Sequence, residues 1–367
     1  MKILYIASIR LPTEKAHGVQ IIKTCEAFAL EGVGITLCVP NFLFSLNKTN
    51  LFDFYKVKSI FAIKKVLSLR LIYLGPIGFF LETLLFFVGS LFTAGFWRSD
   101  YIFTRDEMLA WLCLFVGRKV IWETHTGSYN FFAKKASAGS FRVVTISQGL
   151  KDFYISKGID ANKIIVSRDA VDIVDFDLNI TKDEARKLLN LPRDKKVVLY
   201  AGRLDGWKGV VTFLKASRGF GDNVVAVIVG GDENHVVDLR SNYPKVIFVG
   251  FKPYVDLPTY QKSADVLVLP NTAQNEVSRL YTSPLKVFTY MASKVPIVAS
   301  DLPSIREVLD TDSAVFVKPD DSQALLEGIQ SVLDGRVNAD IIAEQAFTKV
   351  KNNTWENRVK VILKNLN

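Results

Sequence analysis

One strand–loop–helix stretch decides the fold of this chain: Val197-Val198-Leu199-Tyr200-Ala201-Gly202-Arg203-Leu204-Asp205-Gly206-Trp207-Lys208-Gly209-Val210. Its first five residues form an apolar run, which is typical of a strand buried on both faces of a sheet. A glycine-rich loop follows, and then a helix. Arg203 and Lys208 in this loop suit a diphosphate, because Arg offers a fork of hydrogen-bond donors and Lys a compact positive charge. Solvated charges on an ordinary loop are the alternative interpretation.

The same alternation of strand and helix extends in both directions from this stretch. Apolar runs predict strands at 197–201, 224–229, 246–249, 266–269, 296–299 and 314–317 in the second half, and at 3–8, 35–40, 101–104, 120–123 and 142–146 in the first. Strands that alternate with helices pair in parallel sheets. We therefore predict an α/β protein of two Rossmann-like domains that face each other across a cleft.

A length of 367 residues suits two domains. We place the first at residues 1–175 and the second at 176–350, because the acidic segment after residue 170 has no strong periodicity and a capping box follows at Thr181 and Glu184. Residues 351–367 are expected to form a terminal helix that packs back on the first domain.

Charge is divided unequally between the two halves. Residues 1–170 carry 21 Lys and Arg against 12 Asp and Glu, whereas the later residues carry 25 of each kind. The first half therefore favours anionic partners such as phospholipid head groups or a pyrophosphate-linked lipid, and a modest excess scattered over a soluble surface is the alternative. No basic run is interleaved with aromatic residues in a known module, so nucleic acid is disfavoured.

Cysteine and acidic residues give no sign of a metal site. Cys25, Cys38 and Cys113 lack metal-ligand spacing, which favours buried thiols in a reducing, cytoplasmic compartment. The pattern Asp175-Phe176-Asp177 lies in the expected inter-domain segment, where a hinge or surface role is favoured over a metal ligand. The N-terminus runs directly into a strand and does not resemble a secretory signal.

One apolar segment, residues 71–97, contains a single charged residue, Glu82. Its usable helix, 79–97, is at the short end of the range that spans a membrane. Three interpretations remain open: a partly exposed helix that enters a membrane interface, a fully buried core helix, and a true span.

Three further clusters carry candidate chemistry. The loop Arg10-Leu11-Pro12-Thr13-Glu14-Lys15-Ala16-His17-Gly18-Val19-Gln20 precedes a helix, and the absence of a G-x-G-x-x-G pattern disfavours a nicotinamide cofactor. Near residue 284, Ser283 is expected as a helix N-cap and Pro284 as the first helical residue, so that free amides face a phosphate. His125 follows a strand at the edge where ligands bind in open α/β sheets, and a satisfied core histidine is the alternative. Glu123 shares its face of the strand and could orient it.

In this order, the clusters resemble the large family of retaining glycosyltransferases called family 4 or glycosyltransferase group 1, which has the two-Rossmann GT-B fold. The resemblance covers nearly the whole chain. It rests on the His17-Gly18 loop, Trp122-Glu123-Thr124-His125, Thr145-Ile146-Ser147-Gln148-Gly149-Leu150, Ala201-Gly202-Arg203 with Lys208-Gly209, Gly250-Phe251, and Ser283-Pro284-Leu285-Lys286.

The resemblance implies a nucleotide-sugar donor, a UDP- or GDP-sugar, bound mainly by the second domain without a metal ion or a separate cofactor. It implies three catalytic residues: Arg203 and Lys208 on the diphosphate, and His125 on the transferred sugar. It also implies donor contacts from Gly18, Phe251, Lys252, Ser283, Pro284, Leu285, Lys286 and Thr289, with Glu123 and His17 as supporting residues. The family usually has two glutamates eight residues apart, the second of which binds the donor ribose. Here Tyr281 and Thr289 occupy those positions, and Thr289 could still accept one hydrogen bond.

Together these observations predict a hexosyltransferase that acts with retention, peripherally on the inner face of the cytoplasmic membrane. Its acceptor would be a lipid-linked glycan or a precursor of a cell-surface polysaccharide. Two other functions remain open. One is a catalytically silent binding partner with the same fold, motivated by Thr289, and the other is a sugar-nucleotide epimerase.

Overall fold

A computed structural model describes residues 1–13, 15–42, 49–204, 206–231 and 233–366. Glu14 and Asp205, which belong to two of the loops quoted above, lie outside the described residues. The chain forms two compact units. The first contains residues 1–168 together with the C-terminal segment from Trp355, and the second contains residues 169–354.

The first unit is built on a parallel sheet with the strand order β3-β2-β1-β4-β5-β6-β7. Its strands are β1 (Lys2–Ile6), β2 (Gly34–Phe42), β3 (Ala62–Ser68), β4 (Tyr101–Thr104), β5 (Val120–Thr124), β6 (Arg142–Thr145) and β7 (Ile164–Val166). Its helices are α1 (Ala16–Leu30), α2 (Leu51–Tyr55), α3 (Gly75–Leu91), α4 (Ala94–Arg98), α5 (Glu107–Phe115), α6 (Phe131–Gly139), α7 (Gln148–Ser156) and the C-terminal helix α17 (Trp355–Lys364). The strand order reverses between β1 and β4, which is where ligands bind in open α/β sheets.

The second unit repeats this plan, with the order β10-β9-β8-β11-β12-β13. Its strands are β8 (Lys196–Ala201), β9 (Val224–Val229), β10 (Ile247–Gly250), β11 (Val266–Leu269), β12 (Ile297–Ser300) and β13 (Val315–Val317). Its helices are α8 (Ile173–Phe176), α9 (Lys182–Leu189), α10 (Val210–Ser217), α11 (Glu233–Asn242), α12 (Leu257–Lys262), α13 (Leu285–Ala292), α14 (Pro303–Arg306), α15 (Ser322–Leu333) and α16 (Ala339–Val350). The predicted pair of Rossmann-like α/β halves is confirmed.

The division between the units falls at Arg168 and Asp169, earlier than the boundary expected at residues 175 and 176. The reason is packing, because Val171 and Phe176 are fully buried in the core of the second unit. Asp177 forms an ion pair with Lys294 at 3.1 Å.

Helix α17 belongs to the first unit, although it ends the chain. It buries Trp355, Val359 and Ile362. Two side chains of the sheet hold the residues that follow this helix. Arg142 donates a hydrogen bond to the Asn365 carbonyl at 2.7 Å, and the Tyr101 hydroxyl donates one to the Leu366 carbonyl.

Helix α3 lies on strand β3, with Phe86, Phe87 and its small and polar residues inward. Thr83 and Ser90 are buried, and the backbone at Gly89 lies so close to Val66 that a Cβ atom there would be 2.4 Å from a Val66 methyl group. Leu81, Leu85 and Val88 lie on the outer side with about 40% of each side chain exposed. The segment Ile72–Leu91 is long and apolar enough to cross a membrane, but only 22% of its most apolar window is buried. A fully buried core helix is therefore excluded.

Candidate active site

Three glycines at the carboxyl ends of adjacent strands form the floor of the candidate donor site in the second unit. Gly202 follows β8, Gly230 follows β9, and Gly250 ends β10. The Gly230 amide donates to the Gly250 carbonyl at 2.8 Å, and a Cβ atom on Gly230 would lie 2.0 Å from the Gly202 carbonyl oxygen. The backbone at Gly230 is thus too close to Gly202 for a side chain, and the strand ends present peptide groups at the edge where ligands bind in such sheets.

The loop after Gly202 carries the two predicted diphosphate-binding cations. Arg203 is exposed, and its carbonyl accepts a hydrogen bond from the Tyr200 hydroxyl at 2.7 Å. Lys208 is half-buried, and its ammonium lies 3.7 Å from the centre of the Trp207 ring. Gly209 follows with φ +75° and packs against the Pro270 carbonyl. The loop is therefore anchored at both ends, with Arg203 exposed and Lys208 half-buried between the two anchors.

Lys286, on the first turn of α13, adds a cation at the same edge. Its ammonium lies over the Tyr200 ring at 4.3 Å and 3.6 Å from the position of a Cβ atom on Gly202. The nitrogen is shielded from solvent and has no hydrogen-bond partner among the residues that the structure describes. Burial, with a smaller contribution from Lys208, holds the pKa of Lys286 well below its usual range. An unsatisfied buried ammonium of this kind favours an anionic ligand.

The start of α13 differs by one residue from the sequence prediction. Pro284 has extended backbone angles and is the N-cap, whereas Ser283 accepts a hydrogen bond from the Asp169 amide at 3.2 Å. The buried Ser283 therefore anchors the segment and does not cap the helix. Pro284 has no N–H group, so the amides available to a phosphate here are those of Leu285 and Lys286.

Thr289 is withdrawn from the edge of the site. Its side chain is buried, and its hydroxyl accepts from Gln261 at 3.0 Å and donates to the Lys286 carbonyl at 3.1 Å. Both contacts lie within the fold, which disfavours the expected hydrogen bond from the donor ribose to Thr289. The other departure, Tyr281, is also buried, at the end of a π-helical turn (Val277–Tyr281).

Phe251 and Lys252 follow directly after β10. Phe251 exposes 41% of its side chain, more than a core residue would, and Lys252 is half-buried. An exposed aromatic ring at the carboxyl end of a strand is suitably placed to stack on a base.

His125 lies in the first unit, one residue after β5, and contacts Glu123. Its Nε2 is 2.6 Å from the Glu123 Oε1 atom. Burial alone would raise the pKa of Glu123. The positive charge of Arg358 and the hydrogen bond from His125 outweigh this effect and hold the pKa of Glu123 well below its usual range. Burial, together with the Arg105 guanidinium, lowers the pKa of His125 to about 4. At neutral pH the imidazole is therefore uncharged, and the network assigns its single proton to Nε2.

Arg105 and Arg358 are the residues of this cluster that the sequence did not indicate. Arg105 follows β4, and its Nε lies 3.6 Å from Glu123. Arg358 lies on α17 and forms an ion pair with Glu123 at 2.6 Å. The position of Arg105 at the carboxyl end of a strand was a usable signal. Arg358 had none, because 235 residues separate it from its partner.

Gly18 and His17 lie on the first turn of α1. A Cβ atom on Gly18 would lie 2.5 Å from the Tyr55 hydroxyl and 2.6 Å from a Thr13 methyl group, so packing alone requires glycine here. His17 is half-buried. The structure places both residues in the first unit with His125, and the other predicted donor contacts in the second.

Among the described residues, no three His, Cys, Asp or Glu side chains form a group that could hold a metal ion.

Comparison with known proteins points to one family. Residues 181–349 match the family model of the glycosyl transferases of group 1. The chain is 26% identical over 212 residues to the O-antigen chain mannosyltransferase RfbU of Salmonella typhimurium, covering 56% of this chain and 54% of that one. It is 30% identical over 178 residues to the phosphatidyl-myo-inositol mannosyltransferase of Mycobacterium leprae, covering 47% of this chain and 46% of that one. The chain thus matches about half the length of these curated relatives.

Solved structures extend the likeness to the whole fold. The Anabaena protein HepE in complex with UDP superposes with a TM-score of 0.77 at 18% identity, covering 100% of this chain and 99% of that one. The fold is accordingly GT-B, and its second half, residues 181–349, resembles the glycosyl transferases of group 1.

Proposed function

We propose that this protein is a retaining glycosyltransferase that uses a nucleotide diphosphate sugar. The observation that carries the proposal is the buried, unpartnered ammonium of Lys286 beside the glycine loop of Arg203 and Lys208. Two cations of the loop after β8 and one on the first turn of α13 suit a pyrophosphate, whose charge increases as it leaves the sugar. Bound UDP in the structure of HepE supports a uridine nucleotide as the first donor to test.

In the proposed reaction, the bond between the anomeric carbon and the diphosphate breaks while Arg203, Lys208 and Lys286 stabilise the leaving charge. The acceptor hydroxyl attacks from the face that the diphosphate leaves, and its proton passes to the departing phosphate oxygen. No covalent protein intermediate is required. His125, as a neutral imidazole, would contact the transferred sugar through Nδ1, which has no hydrogen-bond partner among the described residues.

We further propose that the acceptor is a lipid-linked glycan or a polysaccharide precursor, and that the enzyme works peripherally on the inner face of the cytoplasmic membrane. The outward leucines of α3 and the exposed cations Lys64 and Arg70 near it support contact with an anionic lipid surface. The lipid acceptor named for the Mycobacterium leprae relative is consistent with this assignment.

The withdrawal of Thr289 supports a second candidate, a catalytically silent binding partner with the same fold. Its hydroxyl is used by Gln261, so the usual carboxylate contact with the donor ribose has no direct replacement at this position.

A two-stage experiment distinguishes these functions. The first stage is a thermal-shift screen with UDP-, GDP-, ADP- and dTDP-sugars, in which a donor that binds the folded state raises the melting temperature by mass action. The second measures release of the nucleoside diphosphate with acceptor extracts. Arg203→Ala and Lys208→Ala should each lower kcat by roughly 10²–10³-fold, whereas the exposed Lys215→Ala on α10 should not. Failure of every donor to bind or turn over favours the silent partner, and conversion of the free donor without an acceptor identifies an epimerase.

A further inference from the structure

One buried carboxylate connects His125 to the C-terminal helix. Glu123 is 2% exposed, and its two oxygens have different partners. Oε1 lies 2.6 Å from His125 Nε2, and Oε2 accepts a hydrogen bond from Arg358 Nη2, also at 2.6 Å. The orientation of the carboxylate, and with it that of the imidazole, therefore depends on a residue of α17.

Arg358 is itself fixed on several sides. It is 5% exposed, its Nε donates to the Arg168 carbonyl at 3.1 Å, and its Nη1 donates to the Thr24 hydroxyl at 3.4 Å. The carbonyl of Arg358 accepts a hydrogen bond from Ser167 at 3.1 Å. A guanidinium held in this way presents its fork to Glu123 in one geometry.

The remaining charges around the cluster favour an uncharged imidazole. Arg105 lies 3.6 Å from Glu123, and its Nη1 donates to Gln20 of α1 at 2.9 Å. Tyr5 of β1 and Cys25 of α1, which also face the cluster, are buried, and burial raises the pKa of each well above its usual value, so both are neutral. With two arginines and one glutamate the cluster carries one net positive charge, and protonation of His125 would add a second.

We propose that Arg358 is a positioning residue for the reaction: acting through Glu123, it fixes the ring of His125 in the Nε2–H tautomer, so that Nδ1 presents its lone pair to the sugar. The inference rests on the proposed contact of His125 with the transferred sugar. Its chemical basis is that a neutral imidazole has one donor and one acceptor, and a carboxylate that accepts from Nε2 determines which nitrogen is which.

Nitrogen NMR of the full chain labelled with ¹⁵N-histidine tests the positioning without any substrate. The sequence contains three histidines, so His125→Gln assigns the signal of interest. In the wild type we expect the Nε2–H tautomer to persist to about pH 5. In Arg358→Gln we expect a mixture of tautomers and a titration midpoint raised by roughly 1 unit, since a nearby positive charge is lost. Arg358→Lys, which keeps that charge, should shift the midpoint less.

Kinetics supply the second readout. In Arg358→Gln we expect kcat to fall about 10- to 100-fold while the donor KM changes less than about 3-fold, as for an interaction made mainly in the transition state. The acid limb of the pH–rate profile should move upward with the NMR midpoint. The matched control is Lys360→Gln on the same helix, whose side chain is exposed and contacts Glu31 at 3.4 Å. It should leave tautomer, midpoint and kcat unchanged.

If His125 in the Arg358→Gln variant keeps the wild-type tautomer and titration midpoint, the inference is overturned, whatever the activity of that variant. If that variant does not fold, Glu123→Gln decides: the amide would face His125 with its NH₂ group, so the inference requires a change to the Nδ1–H tautomer, and an unchanged tautomer overturns it. Full activity in His125→Gln, combined with the expected NMR changes in Arg358→Gln, would reject the role of His125 in the proposed function and leave its positioning by Arg358 established.

Discussion

Gly206 and Gly209 lie three residues apart in the loop of the candidate donor site, but of these two only Gly209 is constrained. Gly209 has φ +75°, and a Cβ atom there would lie 1.5 Å from the Pro270 carbonyl oxygen. Gly206 would have nothing within 4 Å of its Cβ atom. We predict that Gly209→Ala lowers the unfolding free energy by more than about 2 kcal/mol, because backbone must move and the left-handed region disfavours alanine.

Gly206→Ala is the matched control and should change stability by less than about 0.5 kcal/mol. Urea unfolding and nucleotide titration of both variants check the prediction. Similar losses in the two would mean that the loop does not depend on the contact of Gly209 with Pro270.

Lys286 is a residue at which stability and ligand binding are expected to oppose each other. Within the described part of the chain its shielded ammonium has no hydrogen-bond partner. Lys286→Met should therefore raise the unfolding free energy by about 1 kcal/mol, since burying an unpaired charge is unfavourable. The same change should weaken nucleoside diphosphate binding about 10- to 100-fold, measured by calorimetry.

Lys215→Met, on the exposed face of α10, controls for the loss of one charge and should alter neither quantity. A Lys286→Met variant that binds nucleotide as tightly as the wild type would remove Lys286 from the donor site.

At the scale of the element, α3 is apolar on its outer face as well as on its inner face, where Phe86 and Phe87 are buried. It buries Thr83 and Ser90, whose hydroxyls are satisfied by carbonyls of their own helix at 2.9 and 2.7 Å, and it exposes leucine and valine. An outward apolar face of this kind favours a binding surface over a core role.

We predict that the combined substitution Leu81→Ser, Leu85→Ser and Val88→Ser reduces binding to anionic phospholipid vesicles at least about tenfold, because each side chain loses apolar area that the membrane would bury. Vesicle co-sedimentation measures the effect. Stability should change little, since these side chains are already exposed.

The comparison set is Leu188→Ser, Val211→Ser and Ile341→Ser, three exposed apolar residues of the second unit. If the two triple variants co-sediment with vesicles to the same extent, the outer face of α3 does not contribute to membrane binding.

Elements of the second unit were easier to predict from sequence than those of the first. Strands β9 and β11 were predicted with their observed bounds, because both are buried along their length and read as continuous runs of Val, Ile, Leu and Ala. Strand β3 was missed, since it is an edge strand with mostly exposed residues, among them Lys64 and Lys65. β7 is only three residues long. Alternation of burial, which periodicity detects, is weak in both.

For the whole molecule, motifs indicated the candidate donor loop and the neighbourhood of Glu123 and His125, but not the two arginines, Arg105 and Arg358, that complete the network. Arg203, Lys208 and Lys286 lie on or directly beside the quoted stretches, where chain order determines proximity. The contact of Glu123 with Arg358 spans 235 residues and arises only because α17 returns to the first unit.

In a chain truncated after Thr354, we therefore expect the first unit to be unfolded and the second unit to remain folded. Removing α17 uncovers the sites of Trp355, Val359 and Ile362, and losses of about 2–5 kcal/mol per large buried side chain exceed a typical domain stability when combined. Limited proteolysis should cleave within residues 1–168, while the nucleotide that stabilises the full chain still protects residues 169–354. Arg142→Gln, which removes one hydrogen bond to the last turn, should cost only about 1 kcal/mol.

The return of α17 has a consequence for biosynthesis. The first unit lacks its last helix until the ribosome has made the whole second unit, about 190 residues. At a synthesis rate of about 5–20 residues per second, the nascent first unit remains without α17 for roughly 10–40 s, and Glu123 has Arg105 beside it but not Arg358. During that interval the exposed apolar face of α3 is already present. Contact of this face with a chaperone or with the lipid surface would protect the incomplete first unit from aggregation before translation ends.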